Sequence, residues 1–197
     1  MPVSYGTLLR AGLALLLLAL VLWPQGFAPV FAPFAPPGGP VIYTRASLLS
    51  LSLGHLGLVA VATLASTVVA VLLAILVTRP AGAAFRPLSR TLTNVGQTFP
   101  PVAVLALAVP VLGFGTGPTL VALFLYGLLP IFENAMTALS TLPPRTMEAA
   151  RGMGLNRWQQ LWQVELPLAA PVMLAGIRLS AVIGLGTATI GSTVAAR

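Results

Sequence analysis

No cysteine, no lysine and no aspartate occur among the 197 residues, histidine occurs once, and the acidic total is three, all of it glutamate. Each absence excludes a chemistry. Without cysteine there is no disulfide and no thiolate metal site, and the redox compartment is left open. Without lysine there is no phosphate-binding loop ending in Gly-Lys-Ser/Thr, and without aspartate the usual carboxylate for Mg²⁺ is missing, so nucleotide hydrolysis must occur on another chain. The lone His55 falls near the outer end of a hydrophobic run, far from Glu148 and Glu165, and reads as a hydrogen-bonded interfacial residue rather than a catalytic base. No enzymatic activity, cofactor or metal is expected.

What is present is apolar. Hydrophobic residues make up 57% of the chain and charged residues 7%, against about a quarter charged in a soluble domain. Such a chain cannot cover itself in water, so the fold class is an all-α polytopic membrane helix bundle. Its cations are ten arginines. They sit mostly in short loops, where they orient a bundle in the bilayer rather than bind nucleic acid.

Five apolar runs are long enough to cross a bilayer, at about 5–23, 47–78, 95–112, 119–139 and 168–190, in one transmembrane domain covering 1–197. The first has a competing reading as a cleaved signal ending near Val30-Phe31-Ala32, which would remove residues 1–32. Phe27, Phe31, Phe34 and Tyr43, among prolines and glycines, suit an interfacial belt. The second run exceeds the required length and is expected to tilt. Residues 79–94 read as a linker carrying Arg79, Arg86 and Arg90. The third run contains Pro100-Pro101 and Pro110, which kink or break it.

With the N-terminus inside, Arg10, Arg79, Arg86, Arg90, Arg145, Arg151 and Arg157 are cytoplasmic and only Arg45 and Arg197 lie outside. The positive-inside rule selects that orientation. It places the long polar break at 143–167 in the cytoplasm. Pro143-Pro144 starts a helix there, Gly152 and Gly154 permit a bend, and Asn156 with Gln159 makes a capping box for a second short helix that Leu166-Pro167 closes.

Polar residues inside the runs carry the rest. Asn94, Gln97 and Thr98 share one helix face and either line a translocation path or act as interhelical glue. Glu133 and Arg178 are expected to form a buried ion pair between the fourth and fifth spans. Gly176, Ser180, Gly184 and Ala188 recur every four residues as a close-contact stripe.

Glu148-Ala149-Ala150, then Gly154, then Val164-Glu165-Leu166-Pro167 resemble the signature of the membrane subunits of binding-protein-dependent ABC importers, with Val164 in place of Ile. The resemblance implies the permease fold and a coupling surface of Glu148, Ala149, Ala150, Arg151, Gly152, Gly154, Arg157, Leu166 and Pro167 that engages separate ATPase subunits. It also implies a periplasmic or extracellular substrate-binding protein, a second permease subunit (homo- or heterodimer) and a place in the bacterial cytoplasmic membrane. From about His55 to Thr193 the chain is similar to the osmoprotectant branch, for glycine betaine, choline and related quaternary amines. The segments that carry this are 94–100, 123–130 with Asn134, Gly176-Ile177-Arg178 and 187–191. Glu133 departs from the pattern, where a basic or neutral residue is usual. Relatives continue past Gly191 into a further helix, which leaves this chain open to being C-terminally truncated. The rival functions are a permease for another small solute, such as an amino acid, and a non-transporting anchor or assembly subunit.

Overall fold

The computed structural model describes residues 5–36, 38–43 and 45–192. Arg197, counted above for orientation, lies outside them. Every regular element among the described residues is helical. Two compact units, Met1–Leu56 and Gly57–Arg197, are each described by themselves.

In the first unit, α1 (Tyr5–Leu22) is apolar apart from its first turns, which carry Arg10, and buries none of its residues. Three short helical turns follow, over Pro24–Phe27, Ala28–Phe31 and Ala32–Phe34, each with a proline at its first or second position. The missing proline N–H costs nothing there, because first-turn donors have no helical partner.

The long helix α2 (Leu48–Thr78) leads into the second unit. After it come α3 (Arg86–Thr98), α4 (Pro101–Leu112), α5 (Thr116–Ser140), α6 (Pro144–Gly152), the four-residue α7 (Arg157–Gln160), a π-helical turn (Leu161–Glu165) and α8 (Leu166–Gly191). Among the described residues, four helical stretches are long and apolar enough to cross a membrane, or five if the bent pair Ala83–Thr98 and Pro101–Leu112 is one span.

Two boundaries differ from the sequence expectation. Residues 86–94, expected as linker, are helical and continuous with 95–98, because Ser89, Thr93 and Gly96 form a small buried edge that lies against α5. The third run is also no single kinked rod: its two helices meet at 95°. The cause is local. A residue before proline is pushed out of the helical region, and here two in succession precede one, so Phe99 (ψ 143°) and Pro100 (ψ 145°) are both extended. The bend exposes the Phe99 carbonyl, and the Tyr126 hydroxyl donates to it.

Helix α5 is the axis of the second unit. Phe132 and Ile131 are fully buried, in a core shared with Ala70, Ala74 and Val77 of α2 and Met173 of α8. Higher up, α5 passes so close to α2 and α8 that a Cβ on Gly127 would lie 2.7 Å from Ser66 Oγ and 2.8 Å from Ser180 Oγ. Only glycine admits that approach. The expected stripe of Gly176, Ser180, Gly184 and Ala188 is buried along α8.

Pro130 interrupts α5 from within. It has no N–H to give to the Tyr126 carbonyl one turn back. Inside an apolar bundle such a carbonyl needs another donor, and Gln97 Nε2 of α3 supplies one at 3.0 Å.

Candidate functional site

The polar stretch after α5 folds as a short, stiff, two-helix segment. Pro144 occupies the first turn of α6. At the other end Leu155 N–H donates to Ala150 O (3.2 Å) and Gly154 N–H to Arg151 O (2.9 Å). This pair of bonds is a Schellman closure, which needs a left-handed residue after the helix. Gly154 takes that role with φ 80°, while Gly152 remains in the helix. The expected two-glycine bend is therefore made by one glycine.

Asn156 begins the second helix with a full capping box. Its Oδ1 accepts from Trp158 N–H (3.0 Å) and Gln159 N–H (2.9 Å), and Gln159 Oε1 accepts from Asn156 N–H (2.9 Å). Leu166-Pro167 does not close this helix, contrary to expectation. The chain runs on as one helical stretch from Arg157 to Gly191, widened to a π turn at Leu161–Glu165. Pro167 explains the widening. It has no N–H for the Gln163 carbonyl and its ring crowds that group, and the wider turn relieves the clash without ending the helix.

Glu165, the last residue of the π turn, is buried. Arg79, just past the end of α2, grips it with both arms: Nη1 donates to Oε1 at 3.0 Å and Nη2 to Oε2. A two-pronged guanidinium–carboxylate contact is the strongest ion-pair geometry available to side chains. Sequence reasoning placed Arg79 in the cytoplasmic linker after the second span and Glu165 in the polar segment, without pairing them. The signal was the inventory: an acidic residue flanked by Val164 and Leu166 in a chain with three acids needs a cation.

Between this segment and the ends of α2 and α5 lies a cavity of about 600 Å³, lined among others by Arg79, Arg151, Arg157, Glu165 and Met147. The outer surface of the segment presents Glu148, Ala149, Arg151, Gly152 and Arg157, all exposed, with Met153 exposed by 73%, while Ala150 is buried and anchors α6. Leu166 is half-buried and Pro167 exposed. Beside them the rings of Trp158 and Trp162 stack edge-on at 5.6 Å, above an apolar groove lined by α2 and α8 residues such as Val68, Leu72 and Leu174. Exposed tryptophans next to apolar helix suit the depth of lipid headgroups.

The intramembrane polar residues separate. Gln97 is spent on the Tyr126 carbonyl, Thr98 Oγ1 donates to Asn94 O in its own helix (3.1 Å), and the Asn94 side chain is exposed. The expected Glu133–Arg178 pair does not form. Glu133 accepts from Arg90 Nη2 at 2.9 Å instead, because α3, unforeseen as a helix, carries Arg90 alongside α5. Arg178 lies two residues past Gly176, about 200° around a helix of 3.6 residues per turn. Since Gly176 faces Asn134 and Pro130 of α5, Arg178 points away from it and is exposed. In hydrocarbon such an arginine costs on the order of 2.5–3.5 kcal/mol by insertion scales.

These features define a class: a multi-pass helical membrane protein whose polar segment after α5 is built as a rigid surface and joined without a break to its last described helix. Residues 67–197 match the family described as the binding-protein-dependent transport system inner membrane component, and the chain belongs to that family. It is 42% identical to the osmoprotectant import permease protein OsmY of Salmonella typhimurium, over 92% of this chain and 72% of that protein. It is 37% identical to the glycine betaine/carnitine/choline transport system permease protein OpuCB of Bacillus subtilis, over 65% of this chain and 62% of that one. With the choline transport system permease protein OpuBB of the same organism it shares 36%, over 80% and 68%. A chain in an inward-facing structure of the MetNI methionine ABC transporter has the same fold, with TM-score 0.63 and 22% identity over 73% of this chain and 72% of that one. This chain is thus a membrane component, and ATP hydrolysis belongs to a separate subunit.

Proposed function

We propose that the chain is the transmembrane permease subunit of an ATP-driven importer for osmoprotectants such as glycine betaine or choline. It acts as one transmembrane domain with a cytoplasmic N-terminus, paired with a copy or close relative so that the two enclose the path. A binding protein delivers solute from outside. Separate ATPase subunits hold the 143–167 segment from the cytoplasm through Glu148, Ala149, Arg151, Gly152 and Arg157.

One observation carries this reading. The segment is stiff at every joint: the Gly154 closure, the Asn156 box and the buried Glu165–Arg79 contact leave no free hinge between α6 and α8. A force applied to its exposed face is therefore transmitted into α8 rather than absorbed. The names of the relatives support the solute class.

The test is uptake by proteoliposomes holding the permease, its ATPase and its binding protein. ATP-dependent accumulation of glycine betaine or choline is expected. Accumulation of amino acids alone, or none with an active ATPase, contradicts the proposal.

A further inference from the structure

The cavity between the polar segment and the ends of α2 and α5 gathers positive charge that its own lining does not balance. The polar groups can be followed one by one. The Thr78 hydroxyl donates to Ala74 O at 2.8 Å and the Gln160 amide to Leu155 O at 2.6 Å. Glu165 and Arg79 are spent on each other. Arg151 of α6 and Arg157 of α7 remain, and among the described residues their guanidinium groups make no hydrogen bond or ion pair. Two unbalanced positive charges therefore line one cavity of about 600 Å³. Like charges drawn to one place repel, and an anion between them turns that repulsion into attraction.

The kind of anion follows from the donors and the depth. Two guanidinium forks on different helices need several acceptor oxygens at once, which a phosphate offers. The volume falls within the roughly 300–1,000 Å³ of small-molecule sites, enough for a phosphate together with its ester group. Leu139, Leu142 and Met147 wall the same space with apolar surface. The cavity lies where α2 and α5 end, and Trp158, the neighbour of Arg157, is exposed as suits the headgroup layer. Basic pockets between membrane helices on the cytoplasmic side take anionic headgroups.

Taking the cytoplasmic placement of the segment from the reading above, we infer that this cavity binds a phosphate or phosphate-ester anion through Arg151 and Arg157. The bound anion ties α6 to α7 on the inner side of the segment, while the ATPase contacts the outer face. Anionic phospholipid and soluble phosphate are its two sources.

The experiment follows the thermal midpoint of the purified permease, in neutral detergent, against rising concentrations of three probes: phosphatidylglycerol, inorganic phosphate and phosphatidylcholine, whose phosphate is already balanced by its own cation. The rise in midpoint gives the apparent affinity. Phosphatidylglycerol or inorganic phosphate should stabilise wild type and phosphatidylcholine should not. A response to the lipid alone makes the source the membrane, and an equal response to inorganic phosphate makes it the soluble ion. Arg151→Gln and Arg157→Gln should each weaken the response about ten-fold, the size of one lost charge-assisted hydrogen bond. Arg145→Gln removes the same charge from the same helical segment but outside the cavity lining, and should stay within about two-fold of wild type. No response to either anion, an equal response to phosphatidylcholine, or an Arg145→Gln variant as weak as the other two overturns the inference. If no anion binds and Arg151→Gln and Arg157→Gln lose the ATPase on co-purification, the cavity takes an acidic side chain of that subunit instead, which also overturns it. Should one of the two cavity variants fail to fold, the other is read alone against Arg145→Gln. None of these readings involves uptake, so the proposed function fails separately, in the proteoliposome test.

Discussion

Arg79 and Glu165, 86 positions apart, form a two-pronged ion pair that ties the end of α2 to the π turn leading into α8. Arg79 retains some exposure (32% of its side chain) while Glu165 has almost none (8%). Removing one partner of such a pair strands a buried charge, at about 3–5 kcal/mol, whereas removing both is far milder. Arg79→Ala should therefore lower the thermal midpoint of the purified protein more than the double change Arg79→Ala/Glu165→Ala. The half-exposed Arg90–Glu133 pair provides the contrast, with Arg90→Ala costing about 1 kcal/mol or less. A double mutant as damaged as Arg79→Ala shows the pair is not what holds the segment.

Gly154 closes the turn between the two helices of the polar segment, and its φ of 80° is closed to ordinary side chains. Nothing crowds the position, so the cost of Gly154→Ala is conformational alone, about 1–2 kcal/mol. Gly154→Asn should cost less, since asparagine tolerates that region better. Gly152→Ala, inside the helix, should be neutral or slightly stabilising. Protease sensitivity of the 143–167 segment ranks the three, and equal sensitivity of Gly152→Ala and Gly154→Ala would contradict the assignment.

Gln97 matters because Pro130 leaves a carbonyl without a helical donor. In wild type, Gln97→Leu should cost roughly 0.6–1.7 kcal/mol, the range of membrane hydrogen bonds. Once Pro130→Ala restores an N–H at that position, Gln97→Leu should cost almost nothing. A double-mutant cycle in detergent unfolding measures the difference, and strict additivity would show that the two residues are independent.

The long apolar helices were legible because length and hydropathy suffice to find them. The capping box was legible because Asn156 and Gln159 lie three residues apart and need no tertiary partner. The helical start at residues 86–94 was missed for the opposite reason. Their helix is held by small residues packed on α5, a contact with no trace in local hydropathy. The misassigned partner of Glu133 followed directly, since Arg90 was thought to lie in a linker. The π turn was hidden too. Pro167 reads as a helix end, and only the continuity of Arg157–Gly191 shows that the chain widened to pass it.

The central claim is that the face of α6 carrying Ala149 and Met153 is the contact surface for a separate ATPase. The chain has no cysteine of its own, so a single introduced thiol reports one position. Met153→Cys places it on that face. Phe114→Cys places it in the turn before α5, whose 25 residues span about 37 Å and separate the turn from α6. Both native side chains are more than 70% exposed. The rate of thiol labelling is measured on the permease alone and with its ATPase bound. Protection at Met153→Cys with unchanged labelling at Phe114→Cys is the expected result. Protection at Phe114→Cys, or none at Met153→Cys in a complex that still co-purifies, contradicts the claim.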